Sequence, residues 1–326
     1  MVAQQRNTAQ QTRKSPTGPL RRNWACGMIG GMSRRLTLGL DAVIVAVTAD
    51  QPRILTTTRS GKDSIPALPF GPLDTDRDAT IELGLRRWVA TQTGYELGYV
   101  EQLYTFGDRD RQRETRGTRL LSVAYLALVK EAQPAPGAAW LDCYDVLPWE
   151  DRRSAVPGVV TETLLPALNR WAGRDALRRH RVDANFGGRR PWDPIRVLER
   201  YELLYEAQLV PEYQRDHGRK PKPGFAAGTE LAYDHRRIAA TALGRLRGKL
   251  KYRPVVFELL PETFTLFRLQ RTVEALTGVR LHKQNFRRLV ERGQLVEATG
   301  TFDRPTRGRP AELFRFRREV VRARLY

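Results

Sequence analysis

The chain's first long apolar pattern is DAVIVAVTA, Asp41 to Ala49, a β-branched run that predicts a buried strand. RILTTTR, Arg53 to Arg59, follows a short turn and predicts the hairpin partner of that strand. Residues 99–110 and 119–129 predict two more strands, and WLDCYDVLPW predicts a further extended stretch.

Helical spacing of apolar residues alternates with these strands. IELGLRRWVATQTG carries an imperfect apolar stripe and ends at Gly94, which suits a C-terminal cap. VTETLLPALNRWA, Val160 to Ala172, predicts an amphipathic helix. Strands that enclose two helices in this order predict an α/β sandwich over residues 36–172.

The C-terminal pattern predicts a winged helix-turn-helix domain over residues 234–326. A helix is predicted from Asp234, and Thr265 fits the N-cap of the next one, which Gly278 ends. LHKQNFRRLVERG predicts a second short helix that ends at Gly293. QLVEATG and AELFRFRRE then flank the basic turn FDRPTRGRP, as the strands of a wing do.

The remaining residues predict less regular structure. Residues 1–35 are rich in Gln, Arg, Thr, Pro and Gly without hydrophobic periodicity, and we expect a disordered basic arm. Residues 173–233 predict a helical insertion and linker. Within them, residues 193–216 have an apolar helical face, and HGRKPKPGFAAG, residues 217–228, has the composition of a linker.

Charge separates the C-terminal domain from the middle of the chain. Residues 235–326 hold 22 Lys and Arg against eight Asp and Glu, whereas residues 36–234 hold 27 against 28. With seven basic residues in the first 35, these segments add to the net charge of +20. A basic domain of this kind is typical of a polyphosphate partner such as nucleic acid.

Two further observations exclude classes of protein. No apolar run approaches 18 residues, so we expect no membrane span. Cys26 and Cys143 lie far apart without CxxC spacing, so we expect neither a disulfide framework nor a zinc site, and a cytoplasmic location.

The second helix of the predicted winged helix would enter the major groove of DNA. Gln and Asn side chains read adenine edges, and Arg reads guanine or holds phosphate. We expect Phe286 and Leu289 to face the core and the polar residues to face the duplex. The predicted DNA-binding residues are His282, Lys283, Gln284, Asn285, Arg287 and Arg288 on the helix, with Arg307 and Arg309 at the wing tip.

GPLDTDRDATIELGLRRWVATQTGY, Gly71 to Tyr95, resembles the Nudix box, the motif of diphosphate hydrolases. Its skeleton is kept at Gly71, Arg87, Val89, Gly94 and Tyr95, although the distance from Gly71 to Gly94 is two residues longer than the standard spacing. The glutamate positions are all altered. They hold Ala79, Trp88, Thr91 and Gln92.

The lost glutamates bear on catalysis. Mg²⁺ binds carboxylate oxygens beside substrate phosphates and activates water there. Trp, Thr, Gln and Ala cannot supply such a cluster, so we expect no metal site, no catalytic residues and no enzyme. The acidic turn at Asp74, Asp76 and Asp78 is more typical of a solvated loop and helix cap than of a substitute metal site.

Both halves of the chain resemble one family, the Nudix-related transcriptional regulators of NAD metabolism. The resemblance covers about residues 38–130 and 234–320. It is carried by YVEQLYTFGDRDR, SVAYLALV, LRGKLKYRPVVFELLPETFTL, LQRTVEALTG, HKQNFRRLVERG and RGRPAELFRF. LPFG before the box, the lost glutamates and the extra residues between the halves are most similar to the alphaproteobacterial NAD regulator of this group.

The resemblance implies a function. In this family a winged helix binds a palindromic double-stranded DNA operator as a homodimer, and represses genes of NAD synthesis or salvage. A degenerate Nudix domain senses an adenine nucleotide effector such as ADP-ribose, NAD or ATP, with no other cofactor required.

The effector would bind in the cleft beside the box. Arginine side chains hold diphosphates through paired hydrogen bonds, and aromatic rings stack on adenine. The candidates are Arg59, Arg87, Arg109 and Arg119 for the diphosphate, and Tyr104 or Phe106 for the base. Each aromatic residue is equally typical of a core, and Arg87 is equally suited to bracing the box loop.

Two other classes stay open from the sequence. One is an active Nudix pyrophosphatase acting on ADP-ribose or a related nucleotide. The other is an RNA-binding or decapping-related protein, for which exposed aromatics would interleave with the basic residues.

The winged-helix prediction separates two kinds of DNA contact. Arg309→Ala should weaken binding to all duplexes and reduce the salt dependence, because a phosphate contact is lost. Asn285→Ala should instead flatten the preference among sequences, because a base contact is lost. Salt titrations on several duplexes distinguish the two. Unchanged operator binding in both variants would refute the winged-helix prediction.

Overall fold

The structure is a computed structural model that describes residues 35–58, 65–108, 118–187, 191–220, 228–250, 255–303 and 310–317. The predicted basic arm therefore lies outside the described residues, apart from the backbone of Arg35. Among the helices described here, none is long and apolar enough to cross a bilayer.

A mixed sheet forms the N-terminal half. Its strands in the described residues are β1 (Arg35–Thr48), β2 (Gln51–Thr57), β3 (Phe70–Pro72), β4 (Tyr99–Phe106), β5 (Thr118–Leu128) and β6 (Ala138–Asp142). The order is β4-β5-β1-β2-β6, and β3 also pairs with β1. Strands β1 and β5 run parallel, while the other pairs are antiparallel, so the predicted β1–β2 hairpin is confirmed.

Both faces of the sheet are covered. Helix α1 (Ile81–Thr93) packs Leu85 and Val89 against the face that carries Ile44. The opposite face carries Val43 and Val45 and meets the helices that follow the sheet. Burial of β1 on both faces explains why the sequence there is a continuous apolar run rather than an alternating pattern.

The segments after the sheet differ from the prediction in three places. WLDCYDVLPW is extended only in β6, and then forms the short helix α2 (Cys143–Val146), which Asp142 caps by accepting a hydrogen bond from the Tyr144 amide. A π-helical turn, Val159–Leu164, runs into α3 (Leu165–Ala172). The predicted helix over residues 193–216 is two helices, because Gln208 adopts a positive φ before Pro211.

Three described helices lie between the halves of the chain and belong to the main core, namely α4 (Ala176–Phe186), α5 (Val197–Glu206) and α6 (Pro211–Asp216). Residues 221–227 of the predicted linker lie outside the described residues. The next helix, α7 (His235–Leu250), begins the C-terminal domain. Phe186 and Tyr201 lie in the same buried cluster as Ile238 and Leu243 of α7. The insertion therefore joins the sheet to the C-terminal domain by packing.

The C-terminal domain has the predicted winged-helix elements. They are β7 (Phe264–Thr265), α8 (Leu266–Thr277), α9 (Lys283–Arg292), β8 (Val296–Asp303) and β9 (Ala311–Phe316). Thr265 caps α8 by accepting a hydrogen bond from the Arg268 amide, and Gly278 ends it in the left-handed region at φ 72°. The strands pair in the order β7-β9-β8, and α7 precedes them as the first helix of the domain.

Helix α8 lies against the tip of the β1–β2 hairpin. Ala49 and Asp50 form that turn with φ values of 49° and 61°, which suit a two-residue hairpin connection. The Arg271 guanidinium of α8 pairs with the Asp50 carboxylate at 2.7 Å. The winged helix thus contacts the sheet directly, in addition to its connection through α7.

A buried carboxylate lies where the sheet, the insertion and the winged helix meet. Glu150 follows α2 and accepts two hydrogen bonds from Arg200 of α5, at 2.5 and 2.9 Å. Arg247 of α7 also donates to Glu150, and all three side chains are fully buried. We name Glu150, Arg200 and Arg247 the buried triad.

The triad also reaches the end of α8. Arg247 Nε donates to the Leu276 carbonyl oxygen at 2.8 Å, which satisfies one of the last carbonyls of that helix. Gly278 packs so tightly here that a Cβ would lie 2.3 Å from the Glu150 carbonyl oxygen. The site therefore fixes the position of α8 relative to α7.

Glu150→Ala should lower the free energy of unfolding by about 3–5 kcal/mol, because it leaves two buried guanidinium groups without their carboxylate. Urea denaturation followed by circular dichroism measures the loss.

Glu82→Ala is the matched control. Glu82 pairs with Arg86 on the exposed face of α1, at 2.8 Å, and its removal should cost less than about 1 kcal/mol. Equal losses in the two variants would contradict the proposed role of the buried triad.

Candidate effector cleft and nucleic-acid interface

The loop of the Nudix-like box is closed by its own carboxylates. Asp74 Oδ1 accepts hydrogen bonds from the Asp76 and Arg77 amides, and Asp78 Oδ2 accepts one from the Asp74 amide. Thr80 then caps α1 by accepting from the Leu83 amide. The acidic turn is therefore a loop, as expected, but Thr80 rather than an aspartate supplies the helix cap, and the Asp78 side chain is buried rather than solvated.

Arg87 braces this loop from the helix. It donates to both carboxylate oxygens of Asp78, at 2.9 and 2.8 Å, and the Asp78 side chain is only 3% exposed. The hydrogen bonds from the Arg87 guanidinium lower the pKa of Asp78 to about 2. The Arg87 side chain remains one-third exposed.

Two of the residues at the glutamate positions of the motif hold the box together. Trp88 Nε1 donates to the Pro72 carbonyl oxygen at 2.8 Å, and its ring occupies the space where a Cβ on Gly71 would lie. Gln92 accepts a hydrogen bond from the Phe70 amide and donates one to the Phe70 carbonyl oxygen, at 3.1 and 2.6 Å. These side chains fasten β3 to α1.

The other two positions supply no carboxylate either. Thr91 donates to the Arg87 carbonyl oxygen of its own helix at 2.8 Å, and Ala79 is exposed. The nearby Glu82 pairs with Arg86. Across the part of the chain that the structure describes, no group of three or more His, Cys, Asp and Glu side chains is placed to hold a metal ion.

The predicted effector residues fall into three groups. Tyr104 is 61% exposed on β4, whereas Phe106 is 3% exposed and packs in the core, 5.4 Å from the Arg237 guanidinium. The structure therefore leaves Tyr104 as the ring that is open to a ligand. Arg59, Arg109 and the side chain of Arg119 lie outside the described residues.

A buried histidine, which the sequence analysis missed, connects the segment before the box to α7. His235 Nδ1 accepts a hydrogen bond from the Leu68 amide at 2.9 Å, and Nε2 lies 3.0 Å from Asp41 Oδ1 on β1. Because Nδ1 is an acceptor, the ring proton lies on Nε2 and faces the carboxylate. Phe70 packs edge-on against His235 and Tyr233.

This contact has no sequence signature, because Asp41 and His235 are polar residues 194 positions apart that pair only in the folded chain. The contact links the box to α7. Gln92 of the box binds the backbone of Phe70, and the Phe70 ring packs against His235 in the first turn of α7.

A buried glutamate connects α8 to the turn that precedes α9. Glu274 accepts hydrogen bonds from Gln270 and the Leu281 amide, and pairs with Arg280 at 2.8 Å. These bonds hold the turn that follows Gly278. Helix α9 follows this turn and exposes the side of the helix opposite Phe286 and Val290.

The outward face of α9 is polar. Phe286 and Val290 are 7% and 6% exposed and face the core. Asn285 accepts a hydrogen bond from Arg288 at 2.9 Å. The exposed residues include all six predicted on this helix, namely His282, Lys283, Gln284, Asn285, Arg287 and Arg288.

One prediction on α9 is wrong. Leu289 was expected in the core, yet it is 69% exposed. The buried stripe follows Phe286 and Val290, which are four residues apart, and Leu289 lies about 100° around the helix from Val290. The wing residues Arg307 and Arg309 lie outside the described residues, although both flanking strands are present.

Gln92→Glu, which restores a glutamate of the motif, should destabilise the fold by about 1–3 kcal/mol. The change replaces the donor facing the Phe70 carbonyl oxygen with a second acceptor. Thr91→Glu restores the neighbouring glutamate at an exposed position, and should cost less than about 0.5 kcal/mol. Urea unfolding of both variants measures the difference, and equal stability would refute the fastening role of Gln92.

Comparison with known proteins agrees with this architecture. The model of the NrtR DNA-binding winged helix domain matches residues 256–316. An ADPR responsive transcriptional repressor, NtrR, from Acinetobacter baylyi (strain ATCC 33305 / BD413 / ADP1) is 37% identical over 87 residues, which are 27% of this chain. The match spans about a third of that relative's length, 34%.

Two solved structures have similar folds. Shewanella oneidensis NrtR complexed with a 27mer DNA is 24% identical with a TM-score of 0.56, covering 87% of this chain and 95% of that one. A MutT/nudix family protein from Enterococcus faecalis is 18% identical with a TM-score of 0.51, covering 87% of each chain. Residues 256–316 therefore match the NrtR DNA-binding winged helix domain, and the N-terminal half has the Nudix fold.

Proposed function

We propose that this protein is a DNA-binding transcriptional repressor whose Nudix-fold domain binds an adenine nucleotide without hydrolysing it. The observation that carries the proposal is the exposed polar face of α9 within an NrtR-type winged helix. Gln284 and Asn285 would read adenine edges, and Arg287 and Arg288 would contact guanine or phosphate. His282, Lys283, Arg307 and Arg309 would contribute further contacts to the duplex.

ADP-ribose is the proposed effector, because the Acinetobacter relative is described as ADPR responsive. NAD and ATP share its adenosine diphosphate group and are the alternatives. Tyr104 would stack on the adenine ring. Arg59, Arg87, Arg109 and Arg119 would surround the diphosphate, with Arg87 reaching it from its bidentate pair with Asp78.

The domain would act without a metal or other cofactor. Trp88 and Gln92 occupy glutamate positions and are engaged with the backbone of β3, which supports loss of catalysis rather than displacement of the site. We therefore propose that the domain has no hydrolase activity.

Effector binding would change DNA affinity through the contacts between the two domains. Phe70 touches His235 at the start of α7, and Asp50 pairs with Arg271 on α8. A ligand that shifts the segment before the box would bias the placement of the winged helix. The change in DNA affinity is limited by the ligand's preference between the two arrangements.

The proposed oligomeric state, location, operator and target genes follow from the family resemblance. We propose a homodimer in the cytoplasm that spans two half-sites of a palindromic operator about one helical turn apart. The regulated genes would serve NAD synthesis or salvage, and assignment to the alphaproteobacterial branch remains a prediction.

Binding of the full chain to its own promoter region tests the proposal. At fixed salt, fluorescence anisotropy should show specific binding that ADP-ribose shifts by about 5–150-fold, a usual range for allosteric coupling. NAD and ATP are measured in parallel. Binding no tighter than to a scrambled duplex would overturn the repressor assignment.

Two variants test the effector site. Tyr104→Ala should abolish the shift, whereas Tyr104→Phe keeps the ring and should retain it. An identical response in both would remove Tyr104 from the site. Mg²⁺-dependent release of phosphate from ADP-ribose, after coupling to phosphatase, would instead establish the pyrophosphatase.

A further inference from the structure

Leu289 presents an apolar side chain on the face of α9 that is otherwise polar. It is 69% exposed, although most large apolar residues of the described chain are buried. Exposed residues with helical spacing line up beside it, at His282, Asn285 and Arg292. Leu289 therefore lies between Asn285, whose amide suits adenine, and the basic Arg292, on the helix that we propose to enter the major groove.

We propose that Leu289 is a specificity-determining residue that reads the C5-methyl group of thymine in the operator. The inference rests on the proposed DNA-binding function and deepens it. In the major groove that methyl group is the apolar feature that distinguishes thymine, and apolar side chains contact it. Such a contact would cover the leucine that the free protein leaves exposed.

The geometry limits where the thymine lies. Leu289 is four residues from Asn285, which is about 6 Å along a helix that rises about 1.5 Å per residue. Base pairs are spaced about 3.4 Å apart. The thymine should therefore lie within about two base pairs of the adenine that Asn285 reads.

Deoxyuridine tests the proposal, because it pairs like thymine but lacks the methyl group. The operator is first defined by selection from random duplexes with the full chain. Each thymine is then replaced in turn by deoxyuridine, and affinity is measured by anisotropy. Wild-type protein should lose about fourfold at one thymine per half-site, which corresponds to the transfer of one buried methyl-sized group.

The variant Leu289→Ala should bind the operator more weakly and no longer distinguish thymine from deoxyuridine at that position. Leu177→Ala is the matched control, since Leu177 is also 69% exposed but lies on α4 in the insertion. It should keep the full sensitivity to deoxyuridine. Thermal unfolding followed by circular dichroism checks that both variants fold.

The experiment distinguishes a failure of the proposed function from a failure of the role of Leu289. If the wild type selects no sequence, the proposed function fails and the inference with it. If the wild type binds a selected operator but tolerates every deoxyuridine, only the role of Leu289 is overturned. Sensitivity that persists in Leu289→Ala, or a change in that variant's mass in solution, would also overturn it, the latter by placing Leu289 in a subunit contact.

Discussion

The arrangement of the described residues depends on the ion pairs that Glu150 makes with two buried arginines. A fully buried carboxylate is costly to desolvate, and it is stable here because Arg200 and Arg247 both donate hydrogen bonds to it. One arginine comes from the insertion and the other from α7. The triad therefore ties the Nudix-fold half, the insertion and the winged helix into one body, where a flexible linker would leave them independent.

This connection gives the degenerate box a physical meaning. A hydrolase keeps its carboxylates free to hold metal ions, and it needs a cleft open to substrate. Here Trp88 and Gln92 bind the backbone of β3, and Phe70 of that strand contacts His235 at the start of α7. The side chains at the glutamate positions of the motif thus belong to a continuous set of contacts that reaches the first helix of the winged-helix domain.

Local features of the fold were predictable from the sequence. The cap at Thr265 and the left-handed Gly278 follow from residue type and short-range spacing, and the structure agrees with them. The strand predicted at Asp41–Ala49 lies within β1, except that Ala49 is in the turn and the strand begins earlier, at Arg35. The six exposed polar residues of α9 were also found in this way. Their side chains are solvent-facing because the helix has a single buried stripe.

Contacts between distant segments were not predictable. Glu150 and Arg200 are 50 positions apart, and an isolated glutamate in PWED gives no sign that it will be buried between arginines. Leu289 was misassigned because apolar type alone does not give helical phase, which Phe286 and Val290 set. Phe106 was a candidate ligand-stacking ring, but it is buried in the main core cluster, where it also lies near Arg237, 131 positions later.

We propose that an effector in the Nudix-fold half and DNA on α9 bias the same conformational equilibrium. Thermodynamic linkage then requires each ligand to change the affinity for the other by the same factor. Calorimetric titration of ADP-ribose into free protein and into operator-saturated protein measures this directly. The account predicts two different affinities whose ratio equals the effect of ADP-ribose on DNA binding, and identical ADP-ribose affinities in the two titrations would contradict it.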